Sequence, residues 1–256
     1  MRVNSKAFSM IKQITLISIL LLFSPNGLAF PIDEYLKTIQ ASEEAASGFV
    51  SEVEMTLKSD EQIKKQYRLK IAVLNDSAIA LFLAPSIDRG KVILQKDNTW
   101  FQYFPKANRY IRVSPRKAFF GSLSYGDIVA PPVTRFYDYQ TYQLTKTPNQ
   151  VEIVFQAKSG IQNVAIYKKE VLFDTQRNII LRIRNYSRSN TLLGEVNNTN
   201  FESHHGQLFV TASQIANSTK TSEVIFLDTH TIQKNKLNSA FFLPHRLHAV
   251  EKFLGN

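Results

Sequence analysis

Five histidines, His204, His205, His230, His245 and His248, are the side chains best suited to hold a metal or move a proton near neutral pH. Their spacing favours neither role. His204 and His205 are adjacent, so in a strand their rings point apart. His245 and His248 can share a helical face, but no carboxylate or thiol stands at ligand spacing around them. Neither a serine–histidine–aspartate set nor a phosphate-binding glycine loop is recognisable. The residues therefore point to no catalytic group, metal site or cofactor. A second candidate chemistry is anion binding. Lys106, Arg109, Arg112, Arg116 and Lys117 fall within twelve positions, and at a pocket mouth such a group can hold a phosphate or carboxylate. Its ordinary alternative is a solvated face beside a loop. The third candidate is apolar. Eighteen Phe, ten Tyr and one Trp make up 11% of the chain, and they are densest from Trp100 to Tyr125. They are either plain core or the wall of a groove for something equally greasy.

The elements that must position these residues are mostly strands. Ile32, Tyr35, Leu36 and Ile39 recur at helical spacing, with Asp33 and Glu34 where the helix dipole favours acids, which predicts a helix over 32–46. After Ser47-Gly48 the period becomes two. Val53, Met55 and Leu57 alternate with Glu52, Glu54 and Lys58, and Tyr67, Leu69 and Ile71 alternate with Gln66, Arg68 and Lys70. That pattern predicts antiparallel strands with one wet and one dry face, joined by the polar stretch 59–65. Further short strands follow to Leu227, separated by turn residues such as Asp97-Asn98 and Pro148-Asn149. The fold class is mainly β: a single meandering antiparallel sheet, wide enough to curl. The exception is 114–132, where Pro115, Gly121, Gly126, Pro131 and Pro132 forbid a continuous strand. Ser124-Tyr125-Gly126-Asp127 has the form of a capping box. This stretch reads as a loop with one or two helical turns, a lid centred on Phe119-Phe120. A curled sheet leaves a face that its own strands cannot fill, and the helix and the insertion are its two covers.

Met1 to Ala29 reads as a secretory leader. Arg2, Lys6 and Lys12 precede an apolar run, Ile14 to Phe23, of about ten residues, too short to span a bilayer comfortably. Small residues at Gly27 and Ala29 suit a cut before Phe30, and Met10 is an alternative start. The other reading of this run is an uncleaved anchor. The chain then divides into a leader, 1–29, and one β domain, 30–256, exported to the periplasm. There are no cysteines, hence no disulfide framework and no lipid-modified N-terminal Cys. The 31 basic and 21 acidic side chains give a formal charge of +10, and the leader's three cations leave about +7. For an exported protein this favours an anionic membrane surface or partner over nucleic acid.

The middle of the chain resembles the outer-membrane lipoprotein-sorting family of LolA-like carriers. Phe101-Gln102-Tyr103-Phe104-Pro105 matches its aromatic-x-Tyr-x-Pro strand, and a basic strand follows at Arg109 to Val113. Phe119-Phe120-Gly121-Ser122-Leu123-Ser124-Tyr125-Gly126-Asp127 matches its Phe-x-Gly-Ser-x-Ser-x-x-Asp segment. Asp228 to Asn235, followed by Phe241-Phe242, resembles its closing strand and terminal Phe. The resemblance implies a half-open β-barrel covered by an N-terminal helix and a helical lid. It implies carriage of a lipid or lipid-modified protein towards the outer membrane, without metal or cofactor. Some members of the family are similar to partners of inner-membrane exporters of the resistance-nodulation-division type. On this reading the groove is lined by Leu36 of the helix and by Val53, Met55, Leu57, Tyr67, Leu69 and Ile71 of the first strands. The aromatic strand adds Trp100, Phe101 and Tyr103, and the insertion adds Phe119, Phe120 and Ile128. Arg109, Arg112, Arg116 and Lys117 would meet a head group or partner. Two other functions remain open on sequence: a periplasmic regulatory or scaffold module that senses envelope lipids or lipoproteins, and a hydrolase of envelope lipids.

Overall fold

The computed structural model describes residues 31–121, 123–128, 132–161, 166–218 and 222–254, without the side chains of Asp127 and Ile128. The expected leader lies outside these residues. Ile32–Asn256 forms one compact unit.

The unit opens with α1 (Ile32–Ala45), whose first turn carries Asp33 and Glu34 and whose Ile39 is buried. Tyr35 places its ring 5.9 Å from Phe173, so the helix lies on the sheet. It stops before Gly48, which has φ +86°, a left-handed backbone that glycine adopts without steric penalty.

Two meanders follow. The first comprises β1 (Phe49–Ser59), β2 (Gln62–Leu74), β3 (Ser77–Ala84), β4 (Val92–Lys96), β5 (Thr99–Phe104) and β6 (Arg109–Val113). Between them lies an insertion of β7 (Ala118–Phe120), β8 (Leu123–Ser124), α2 (Tyr125–Ile128) and α3 (Val133–Phe136). The second meander comprises β9 (Tyr137–Leu144), β10 (Gln150–Ala157), β11 (Lys168–Asp174), β12 (Ile179–Tyr186), β13 (Leu192–His204), β14 (Gln207–Asn217) and β15 (Glu223–Lys234). Pairing of β1 with β15 fuses the meanders into one antiparallel sheet of 13 strands, ordered β6-β5-β4-β3-β2-β1-β15-β14-β13-β12-β11-β10-β9. The sheet is not closed, because its end strands β6 and β9 do not pair. The chain leaves one edge at Val113 and re-enters at the other at Tyr137. The insertion must therefore cross one face of the sheet.

That face carries Met55, Leu57, Leu69, Ala80, Phe82, Ile93 and Trp100, all buried. The opposite face carries Ala72, Ile79, Leu81, Val92, Leu94 and Tyr103, covered by Phe242, Leu247, Val250 and Leu254 of the C-terminal segment. This second layer corrects the expectation of one wet face for β2. It also explains the unbroken apolar runs Ala78–Phe82 and Val92–Leu94: strands covered on both sides do not alternate. The expected connection 59–65 is shorter than its composition suggests. Asp60 and Glu61 alone make the turn, at φ 50° and 62°, and β2 starts at Gln62. Two residues with positive φ suit a tight hairpin because their twist matches that of the strands.

Candidate functional site

The insertion is a small hairpin followed by two single-turn helices, where sequence predicts a loop with one or two helical turns. Phe120 is fully buried within the cluster of Met55, Leu57, Leu69 and Phe82. Its ring lies 5.0 Å from that of Tyr67, and Phe119 lies 5.2 Å from Phe82 and 5.3 Å from Tyr125. The Tyr125 hydroxyl donates to Gln102 Oε1 at 2.5 Å, both groups buried. Gly121, at φ +57°, turns the hairpin so close to β1 that a Cβ there would meet Leu57 Cδ2 at 2.9 Å. Phe120 therefore belongs to the main core, with Phe119 packed against it.

The open space lies beside this plug. A cleft of about 640 Å³ runs between Arg116, Leu123 and Ser124 of the insertion and Asn185, Gly194, Val196, Ile215 and Asn217 of β12 to β14, with Ile166, Leu193 and Arg188 at its margins. Leu123 and Ile215 join it to the core, since both also pack in the cluster around Phe120. Register explains the vacancy. Asn185, Gly194 and Asn217 are direct cross-strand neighbours, as are Val196 and Ile215. Where β1 to β4 put large apolar side chains throughout this face, β12 to β14 interrupt Val196 and Ile215 with the small or polar Asn185, Gly194 and Asn217. Gly194 packs tightly against β14, where a Cβ would meet the Ala216 carbonyl at 2.8 Å.

A second cleft, of about 740 Å³, adjoins the first at Arg116 and Arg188. Its lining is polar, including Asp138, Gln140, Gln156, Lys158 and Tyr167. Behind the first cleft lies Lys169, 5% exposed, whose Nζ donates to Asn185 Oδ1 at 3.3 Å and stands 5.3 Å from the Tyr137 ring. Glu43 of α1 faces the same interior. Its Oε1 accepts from the Val133 backbone N–H at 2.5 Å, and its Oε2 from the Thr134 N–H at 3.2 Å and hydroxyl at 2.5 Å. Burial raises its carboxyl above the ordinary value, against these donors and the nearby Lys169 charge.

The sequence candidates divide accordingly. Met55, Leu57, Leu69, Trp100 and Phe120 lie in the core beneath the insertion, with Tyr67, Ile71 and Phe119 packed against it. Val53 is buried and Leu36 half-buried. Phe101 and Tyr103 point the other way, under the C-terminal segment. Adjacent strand residues must face opposite sides, so Trp100 is the aromatic beneath the insertion. The side chain of Ile128 lies outside those described. Arg109 and Arg112 are exposed on edge strand β6 and, three residues apart, sit on opposite faces. Lys117 is exposed, and of the four basic candidates Arg116 alone lines the cleft. Among the described residues no group of three or more His, Cys, Asp or Glu is placed to hold a metal ion. Sequence reasoning missed Asn185, Arg188, Leu193, Val196 and Ile215. The available signal was the scarcity of large apolar residues from Gly194 to Asn200, within a strand whose neighbours are apolar.

A family model described as "Uncharacterized protein" matches residues 74–249. No curated protein matches the chain in sequence. Among solved structures, a LolA superfamily protein from Nitrosomonas europaea superposes with a TM-score of 0.72 at 20% identity, covering 82% of this chain and 96% of that one. A putative outer membrane lipoprotein-sorting protein domain from Vibrio parahaemolyticus gives 0.69 at 19% identity, covering 84% and 97%. A DUF1329 family protein from Desulfovibrio piger gives 0.69 at 16% identity, covering 85% and 99%. The fold resemblance read from Phe101–Pro105 and Phe119–Asp127 is thus shared over nearly the whole length of those structures.

Proposed function

We propose that this chain, which belongs to the family matched over residues 74–249 and has the LolA-superfamily fold, carries a lipid or lipid-modified protein with its acyl chain in the cleft between the insertion and β12 to β14. The observation that carries the reading is that cleft. Its volume of about 640 Å³ lies inside the roughly 300–1,000 Å³ of pockets that enclose a small ligand. Leu123, Leu193, Val196 and Ile215 supply apolar wall, and each methylene moved there from water contributes about 0.8 kcal/mol. A carrier needs no more chemistry than this. It must hold a chain that water rejects and release it to a partner that holds the chain better.

The Vibrio relative, described as a lipoprotein-sorting domain, favours a lipoprotein among possible cargoes. The finer parts of the proposal are that residues 1–29 act as a leader cut before Phe30 and the domain 30–256 works in the periplasm, as read from the sequence, and that an inner-membrane exporter of the resistance-nodulation-division type hands over or receives the cargo, as the family resemblance implies. The sheet with its α1 and insertion covers then acts as a half-open barrel, and the surplus of basic side chains favours an anionic membrane surface.

The test is organic extraction of protein purified from the periplasm, followed by mass spectrometry. Lipid or acylated protein at about one equivalent is the expected result. A clean extract, together with turnover of a lipid ester, would make the chain an enzyme. A clean extract with tight binding to a membrane protein's periplasmic segment would make it a regulator. Intact mass starting at Phe30 checks the leader, and a full-length species held in the inner membrane refutes it.

A further inference from the structure

The two clefts differ in chemistry and meet at two guanidinium groups. Arg116 and Arg188 line both the cleft with the apolar wall and the polar cleft. Arg188 is exposed on the turn between β12 and β13, its guanidinium 5.4 Å from the Tyr167 ring. Ser187 and Ser189 flank it, and both also line the apolar cleft. The polar side adds Lys158, whose Nζ donates to the Thr134 carbonyl at 3.3 Å. Two acids are among the described residues that line the pair of clefts. Glu195 turns its carboxylate to the opposite face of the sheet, where it is held by Arg184, Nε to Oε2 at 2.7 Å, and by Asn197 at 2.8 Å. Asp138 is exposed at the far wall. Two cationic side chains, Arg116 and Arg188, thus stand where the two spaces join.

We infer that the ligand is an anionic amphiphile, with its chain in the apolar cleft, its phosphate or carboxylate between Arg116 and Arg188, and any further polar substituent in the cleft lined by Gln140, Gln156 and Lys158. This rests on the acyl-chain reading above and adds a head-group class to it. Chain burial supplies affinity without discrimination, since all acyl chains are alike to an apolar wall. The guanidinium pair supplies selection, because planar donors bind phosphate and carboxylate in forked geometry. An anion at this junction also stays close to water, which avoids the penalty of a buried charge.

The test uses decyl phosphate, decanoate, decanol and inorganic phosphate as probes, each below its micellar concentration, titrated calorimetrically into delipidated protein. The wild type is compared with an Arg116→Gln/Arg188→Gln double variant. The expected result is that the wild type binds decyl phosphate and decanoate roughly tenfold to a hundredfold tighter than decanol, the range of one or two charge-assisted hydrogen bonds. The double variant should bind all three at the decanol level. Arg116→Lys/Arg188→Lys should restore part of the preference and make it more sensitive to salt, because an ammonium keeps the charge and loses the fork. Stronger decyl phosphate than decanoate binding would indicate a phosphate-bearing lipid, and the reverse a free fatty acid. Decanol binding as tightly as the anions, or a preference that survives in the double variant, overturns the head-group proposal and leaves the acyl reading standing. No binding of any decyl probe overturns both. Inorganic phosphate binding as tightly as decyl phosphate would mean an anion site without an amphiphile, which also overturns the proposal.

Discussion

Phe120→Ala separates a docked plug from a mobile lid. The Phe120 ring is fully buried, faces Tyr67 at 5.0 Å, and shares a cluster with Met55, Leu57, Leu69 and Phe82. Truncating a fully buried Phe costs about 3–5 kcal/mol, as lost transfer free energy plus the cavity left behind. In a domain of this size each kcal/mol lowers the melting temperature by about 2–4 °C, so the expected fall is roughly 6–20 °C. Phe119, only partly buried, provides the internal control, and Phe119→Ala should lower the melting temperature by clearly less. The assay is thermal unfolding by circular dichroism, run beside lipid occupancy by extraction. Phe120→Ala should lose stability first, with occupancy at low temperature reduced only as far as Leu123 shifts. If Phe120→Ala melts within about 2 °C of the wild type yet purifies without lipid, the ring is a gate on the cargo. The placement of the core beneath the insertion would then be wrong.

Tyr125→Phe should destabilise by about 1–3 kcal/mol, because it removes the hydroxyl donor from Gln102 Oε1 and leaves a buried amide oxygen without its partner; denaturant unfolding measures the difference. Leu193→Asp puts a charge in the wall of the apolar cleft; it should cut extracted lipid several-fold with little change in melting temperature, and unchanged lipid content would move the acyl site elsewhere. Glu43→Gln tests the buried carboxyl that caps α3. Burial raises the folded pKa of Glu43 above 4.5, so the folded state binds the proton more tightly, and its favourable contribution is full below 4.5 and lost as pH rises through the folded value. The melting-temperature advantage of the wild type over Glu43→Gln should therefore grow as pH falls from 7 towards about 4.5, and an advantage that shrinks over that range refutes the assignment.

The parts of this fold that sequence made legible are those where one physical signal dominates. The helical period from Ile32 to Ile39 and the acids at 33 and 34 place α1 almost to the residue. Alternation through Val53, Met55 and Leu57 places β1, and the turn residues Asp97, Asn108, Asn149 and Asn178 all adopt positive φ. The unread parts depend on contacts between distant segments. Nothing local in Pro244–Leu254 announces that it covers β3 to β5, so the second apolar layer was missed. For Phe119-Phe120 the sequence leaves core and groove wall both open, since pattern alone does not say whether an aromatic pair lines a space or fills one. The basic cluster divides for a simpler reason: proximity in sequence is not proximity in space when residues alternate along an edge strand, and Arg116 lines the cleft together with Arg188, 72 positions away.

An open cleft removes packing from the strands that line it, and β12 and β13 must hold their register by other means. On the face away from the cleft, Arg182 meets Glu152 at 3.2 Å and Arg184 meets Glu195 at 2.7 Å. The Tyr186 hydroxyl donates to Glu170 Oε2 at 2.5 Å, and Lys168 pairs with Glu170 at 2.9 Å. These groups are partly exposed, so each pair contributes at most about 1 kcal/mol. Their larger effect is on register. Arg184 stands directly opposite Glu195 on β13 and Glu170 on β11, and opposite charges in that position favour one alignment and penalise the shifted ones. A slip of one residue would turn Arg182, Arg184 and Glu195 towards the cleft and Asn185, Gly194 and Val196 away from it. The charged ladder on one face thus keeps the small and polar residues on the other, and the cleft stays open because the strands beside it are aligned from behind.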